Sequence, residues 1–380
     1  MTDVLVVGAG PAGSIAALLL ARAGVSVRLL DRSSFPRDKL CGDTLNPGSL
    51  ALLDGWGIAA RIRERALTIT GMTVTGPGGE TVSADYPGGL TGVSLTRRDM
   101  DLALVDAAVA AGADLETGVT VLGPEVAGGR VTGVRTAAGS LSARLVIAAD
   151  GRGSRLASTL GLSRFARAPR RWAYGAYFEG VDGLTSHGEM HIRGDGYIGV
   201  APLPGGVANA CVVRPSTPCL RSGRRRAGPA GQLQVIDEAI AGDPALRERF
   251  ARARLVSPPA VLGPLAIDAS AAGCPGLLLA GDAAGFVDPM TGDGLRFALS
   301  GGALAAQAAL VELESGAPAW RALDSARTEA FAGKWRVNRA LRAVVGSRRA
   351  LGVAAVVARQ WPGSVGYLIG VAGDVSLARP

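Results

Sequence analysis

Three observations in this 380-residue chain predict an α/β fold, in which a Rossmann-like domain is interrupted by a β-rich domain and followed by a helical tail. Hydrophobic periodicity switches from strand to helix and back to strand between Val4 and Leu30, around a glycine-rich turn. A second buried run, Leu277 to Ala280, precedes a Gly/Pro-rich turn and the Ala-rich stretch Gly294 to Ser315. Between these halves, Ser163 to Pro264 alternates polar and apolar residues with period two, the signature of half-buried strands.

Taken in order, Val4 to Val7 is a continuous apolar run, as a strand buried on both faces requires. Gly8 to Gly13 opens a helix ending near Gly24, and Val25 to Leu30 forms the next strand with Asp31 at its tip. A loop from Phe35 leads to a helix with Asn46 as its cap and Pro47 in its first position. Leu67 to Val93 reads as short strands broken at Gly76 to Glu80, and Arg97 to about Ala111 as a helix. Strands follow near Val119 to Val134 and Arg144 to Ala149. The β-rich stretch has strands at Trp172–Phe178, Glu189–Ile192, Tyr197–Val200 and Val207–Val213, then a helix near Gln232 to Arg252. The nucleotide domain is therefore expected at 1–70, 97–162 and 265–316, the β-rich substrate domain at 71–96 and 163–264, and a helical segment at 317–380.

Hydrophobic residues make up 48% of the chain, enough for a large core. The formal charge of +8 is carried almost wholly by arginine, since Lys39 and Lys334 are the only lysines. Such a charge suits an anionic cofactor. Nucleic acid is not an expected partner, because no basic run carries interleaved aromatics; Arg170–Trp172 and Arg221–Arg226 read as solvated loops. Cys41, Cys211, Cys219 and Cys274 lie far apart, without the spacing of a metal knuckle or a disulfide framework. A strand almost at the first residue, and no uncharged apolar run of spanning length, predict a cytoplasmic protein. His187 and His191 fall on a strand pattern rather than a helix, so no metal site is expected there.

Gly8-Ala-Gly-Pro-Ala-Gly13 follows a strand, opens a helix and is trailed by an acid, the full context of a dinucleotide turn. Gly8 permits the tight turn, Gly10 the approach of a pyrophosphate, and Gly13 close packing of helix on sheet. Pro11 and Ala12 begin the helix whose amides face the phosphates, and Asp31, with Arg32 beside it, faces a ribose. Four further segments accompany this turn: Leu277–Leu299 with its Gly-Asp and Pro-x-Thr-Gly-x-Gly, Ala148–Ala157 with Asp-Gly, Ser94–Asp101, and Phe35–Leu53 with Lys-x-Cys-Gly.

Together these segments resemble the flavoprotein superfamily that contains para-hydroxybenzoate hydroxylase and geranylgeranyl reductase. The resemblance implies FAD in a domain of the glutathione-reductase type. It places Gly281 and Asp282 on the ribitol chain, and Pro289, Gly292, Asp293, Gly294 and Leu295 at the flavin's pyrimidine edge. There a helix N-terminus stabilises the negative charge of the reduced ring. It places Asp150 beside FAD and its nicotinamide donor, and Arg97 near the phosphates. Lys39, Cys41 and Gly42 match the reductase branch, with Cys41 near the flavin or simply packed, and Arg37 or Lys39 near the adenosine end. No catalytic side chain is named; Cys41, Pro289, Gly292 and Gly294 are the near-flavin candidates. Tyr197–Gly206 departs from the reductases, lacking their Trp and Phe.

These resemblances imply an oxidoreductase taking electrons from NADH or NADPH, which bind transiently because no second glycine turn exists. Hydroxylation of an aromatic or polyketide-like hydrophobic molecule with O2, in secondary metabolism, is the favoured activity. Reduction of an isoprenoid C=C bond is the alternative, and a flavin-binding protein without turnover a minor one. Lys334 to Arg359 reads as packed helix; a lid or peripheral membrane contact is the sharper reading of its mixed arginines and apolar residues.

Overall fold

The computed structural model describes residues 2–374 apart from 41, 168–169, 195, 216–227, 346, 362–368 and 372. Arg221–Arg226, Cys41 and Cys219 lie outside the described residues. A six-stranded sheet takes Gly273–Cys274, Leu277–Leu279, Leu145–Ala148, Val4–Val7, Val27–Leu30 and Asp114–Glu116 in that spatial order. Its pairings are parallel except for the outermost pair, Gly273–Cys274 with Leu277–Leu279. Val4–Val7 and Leu145–Ala148 are buried at every residue, as their unbroken apolar runs require.

Helix Pro11–Arg22 covers one face of this sheet together with Arg97–Ala110 and the long helix Gly294–Ser315. The long helix has the length and apolarity to cross a membrane, yet half of its most apolar window is buried. Its buried face is made of small residues, Gly301, Gly302, Ala305 and Ala309 among them. They let two helix backbones meet, for a Cβ on Gly302 would stand 2.3 Å from the Ala12 carbonyl oxygen.

The second, eight-stranded sheet contains Arg171–Glu179, Val207–Pro215, Gly196–Leu203 and His187–Arg193 as its antiparallel centre. Gly71–Thr75 adds to His187–Arg193 in parallel, and brings Thr81–Asp85 with it. One face packs beneath helix Pro229–Ala241 through Tyr174, Phe178, Ile198 and Val212. The other turns Ala173, Tyr197 and Val213 toward Phe286 and Met290 of the cofactor segment.

Several expectations need correction. The helix expected to Arg252 stops at Ala241, because Gly242 is followed by Asp243-Pro244, and a residue before proline is driven out of the helical region. Residues near Val119 to Val134 form two strands, Val121–Ala127 and Arg130–Thr136, joined at Gly128 and Gly129 with φ of 56° and 75°. Arg171, read as part of a solvated loop, is a buried strand residue paired with Asp288. His187 and His191 do lie on a strand, His187–Arg193, and bond to Thr73 and Thr75 of the neighbouring one.

Two glycine-to-alanine changes test the packing. Gly302→Ala is expected to cost about 1–3 kcal/mol, since backbone must move to admit the methyl group. Gly333→Ala, on the exposed side of helix Trp320–Val345 with open space around it, is expected to gain about 0.5–1 kcal/mol. Thermal melts of the two variants should therefore move in opposite directions.

Candidate active site

The carboxyl ends of the parallel strands gather the sequence motifs. Gly8 follows Val4–Val7, Asp31 follows Val27–Leu30, Asp150 lies just beyond Leu145–Ala148, and Gly281 just beyond Leu277–Leu279. This edge is where open α/β sheets bind ligands. Gly8 has φ of 99°, and a Cβ there would fall 2.4 Å from the Ala149 carbonyl oxygen, so the glycine turn and the Asp-Gly turn meet backbone to backbone. Asp31 is buried and accepts hydrogen bonds from the amides of Ala9 at 2.9 Å and Ser33 at 2.8 Å, which fixes the turn. Arg32 points to solvent.

Gly10 caps helix Pro11–Arg22, and the space before it is open: a Cβ would meet nothing nearer than Arg37 Nη2 at 3.8 Å. Arg37 stands between Asp101, at 3.1 Å, and Asp31, at 3.8 Å, with its Nε buried and lacking a hydrogen-bond partner. Arg97, expected near the phosphates, is buried and gives Nε and Nη2 to Asp101 at 2.8 and 2.9 Å. The guanidinium beside Gly10 is thus Arg37, with Arg97 holding Asp101 behind it. Asp150 Oδ1 is also buried without a partner, and burial raises its carboxyl above the usual range.

The distal motif supplies the other end. Asp282 is half-buried at the head of the short turn Gly281–Ala284, and beneath that turn Arg327 donates to the Ala284 carbonyl at 2.9 Å. Burial lowers the Arg327 guanidinium to about 10. Pro289–Thr291 is one 3-10 turn, and Gly292 closes it at φ of 71° with open space around it. Gly294 begins the long helix. Asp293 and Leu295 stand at the start of the long helix, with their side chains facing inward. Leu295 packs in the main core, while Asp293 accepts from Lys334 at 2.6 Å and from Asn338.

Two buried polar groups escaped sequence reasoning. Asp288 accepts from Tyr197 Oη at 2.6 Å, from Arg171 Nη1 at 3.3 Å and from the Met290 amide at 3.1 Å, tying the 3-10 turn to the eight-stranded sheet. Burial and the nearby Asp288 carboxylate push the Tyr197 hydroxyl well above its ordinary range. Its position just before Pro289 was the one available signal, since a side chain there can cap the turn. Asp43, fully buried, accepts from Asn209 Nδ2 and from the Arg97 amide at 3.1 Å, and Tyr177 also bonds to it. Burial raises its carboxyl to about 7, against the lowering pull of Arg97 and the hydrogen bonds. Asp43 therefore joins the Lys-x-Cys-Gly segment to the eight-stranded sheet and to helix Arg97–Ala110. Within that segment Lys39 is half-buried and Gly42 exposed.

These features fit a dinucleotide: capping amides at the helix start, a cradle that a Cβ at Gly10 would fill, an incompletely bonded Arg37, and Asp282 open at the far end. Gly10→Val is expected to leave the fold intact, because its φ of −76° and ψ of −177° suit valine and the new methyls enter empty space. FAD occupancy should fall at least about tenfold while the melt of the cofactor-free protein stays within about 0.5 kcal/mol. Full flavin absorbance in the purified variant would place the cofactor elsewhere.

The raised Asp43 carboxyl makes stability depend on pH. Between pH 3.8 and about 7 the folded chain keeps a proton that the unfolded chain has lost. Stability therefore falls as pH rises through that window, by on the order of 4 kcal/mol, and levels off above it. Asp43→Asn should remove this slope, which urea unfolding at a series of pH values reads directly.

The FAD binding domain model matches residues 1–179. Menaquinone reductase of Mycolicibacterium smegmatis is 32% identical over 332 residues, covering 80% of this chain and 75% of that protein. Digeranylgeranylglycerophospholipid reductase 1 of Methanopyrus kandleri is 33% identical over 332 residues, covering 82% of this chain and 81% of that protein. A solved flavoprotein/dehydrogenase from Cytophaga hutchinsonii superposes with a TM-score of 0.72 at 25% identity, over 83% of this chain and 79% of that one. Sequence motifs, strand-edge geometry and relatives agree, and the chain belongs to the family of FAD-dependent oxidoreductases that its motifs resemble.

Proposed function

We propose that this oxidoreductase saturates a carbon–carbon double bond of an isoprenoid lipid, with electrons from NADH or NADPH. The reading is carried by the two reductase relatives, and the seam between the cofactor edge and the eight-stranded sheet is apolar. Ala173, Val213, Leu265 and Met290 are buried there, with Phe286, Leu341 and Val344 packed against them. A seam bordered by packed apolar side chains is a setting for hydrocarbon more than for a polar substrate. The two relatives are named for reducing a menaquinone and a digeranylgeranyl lipid, both polyprenylated molecules.

Gly10, Arg37, Asp150 and Asp282 would hold FAD, which would supply the two-electron chemistry. The protein's own contribution is positioning and proton control. Asp288, held by Arg171 and Tyr197, fixes the turn Pro289–Thr291 and so the position from which Gly292 would meet the flavin. Tyr197 keeps its proton at neutral pH, because burial and Asp288 oppose its ionisation. Saturating a double bond needs a hydride at one carbon and a proton at the other. Asp43, its carboxyl raised by burial to about 7, is a buried acid held at the seam by Asn209 and the Arg97 amide.

Hydroxylation with O2 is the second reading, favoured by the missing Trp and Phe in Tyr197–Gly206. Anaerobic incubation with NAD(P)H and a polyprenyl quinone or lipid separates the two. The expected product is heavier by two hydrogens and forms without O2. No anaerobic product, with an aerobic product heavier by one oxygen, would overturn the reductase reading.

A further inference from the structure

The last helices carry a surface that neither cofactor nor sheet uses. Helix Arg348–Gln360 exposes Val353, Val356 and Val357 at 65%, 49% and 38%, and Trp361 follows at 63%. Residues three and four apart lie along one side of a helix, so the three valines form a single apolar stripe, and Trp361 follows these as the C-terminal cap to make four. They are four of the ten exposed large hydrophobic residues among the described residues, and the remainder are spread from Val109 to Val311. The stripe sits in a strongly cationic setting. From Phe331 to Trp361 the chain has Lys334 and six arginines, at 336, 339, 342, 348, 349 and 359, and no acid. Lys334 is engaged with Asp293 and Asp374, while Arg336, Arg339 and Arg349 are exposed.

An exposed apolar stripe in an arginine-rich, acid-free stretch of chain, with tryptophan at its end, matches the chemistry of an interfacial helix on anionic lipid. A polyanion such as RNA would use the arginines and leave the valines idle. The preceding helix, Trp320–Val345, runs from Arg327 under the Gly281–Ala284 turn to Leu341 and Val344 on the apolar face beside Met290. Helix Arg348–Gln360 follows it in sequence and packs against it.

We propose that helix Arg348–Gln360 docks this chain on an anionic membrane surface, through Val353, Val356, Val357 and Trp361 with the neighbouring arginines. The inference extends the isoprenoid reading, since such a substrate resides in a bilayer, but its test is separate. Full-length, FAD-loaded protein is sedimented with vesicles of phosphatidylcholine mixed with phosphatidylglycerol, and with pure phosphatidylcholine. Wild type should pellet with the mixed vesicles, less with the neutral ones, and less at high salt. The variant Val353→Ser, Val356→Ser, Val357→Ser, Trp361→Ser should bind roughly tenfold or more weakly. Its FAD absorbance and its activity on detergent-dispersed substrate should match wild type. Wild type left in the supernatant, or a variant that pellets equally, overturns the proposal. So does a solution dimer that the variant splits without any vesicle binding, because the stripe then belongs to a second copy. Activity lost on every isoprenoid, with vesicle binding intact, overturns the substrate reading and leaves this one standing.

Discussion

The site depends on backbones meeting with no side chain between them. A Cβ at Gly13 would fall 1.8 Å from the Gly8 carbonyl oxygen, one at Gly8 would strike Ala149, and one at Gly302 would strike Ala12. These three contacts lock the first helix to its own turn, to the Asp-Gly turn and to the long helix. Close packing of this kind transmits position with little slack. Gly10 differs from its neighbours in the same turn, for the space before it is open. The turn is therefore tight behind and open in front, which is what a buried anion requires.

A second level of order comes from charge. Arg97, Asp101, Arg37 and Asp31 alternate in sign from the domain seam to the glycine turn. Asp288, paired with Arg171 and bonded by the neutral Tyr197 hydroxyl, ties the distal turn to the eight-stranded sheet. Buried ions are costly to desolvate, and their attraction offsets that cost only when hydrogen bonds complete the geometry. Apolar replacements would pack the seam as well but would leave its register free. The polar contacts are placed where two layers must be held in a fixed relation around a cofactor.

Much of this was legible in the sequence. Val4–Val7, Leu145–Ala148 and Leu277–Leu279 were readable because a strand buried on both faces must be apolar throughout. Asn46 does accept from the Ser49 amide, as its place before Pro47 implied. What stayed hidden was long-range pairing. Asp43 and Asn209 lie 166 positions apart and Asp288 and Tyr197 91 apart, so neither residue of a pair carries a local sign of the other. Arg171 was misread for the same reason, since its burial is set by Asp288 and not by its neighbours. Leu295 and Asp293 were read by motif alone, although the first obeys core packing and the second answers to the tail helix.

The order of strands in the six-stranded sheet has a consequence for biosynthesis. Val4–Val7 lies at its centre, while its neighbour Leu145–Ala148 is flanked by Leu277–Leu279. The helix that buries the first helix's small-residue face ends only at Ser315. A nascent chain thus carries its glycine turn long before the distal turn that faces it has been made. Contacts so distant in sequence form slowly, and the exposed strand edge must wait for them. Cofactor capture is accordingly a late event, completed as the last third of the chain leaves the ribosome. A messenger truncated before Leu277 yields a polypeptide with the nucleotide signature and half a binding crevice.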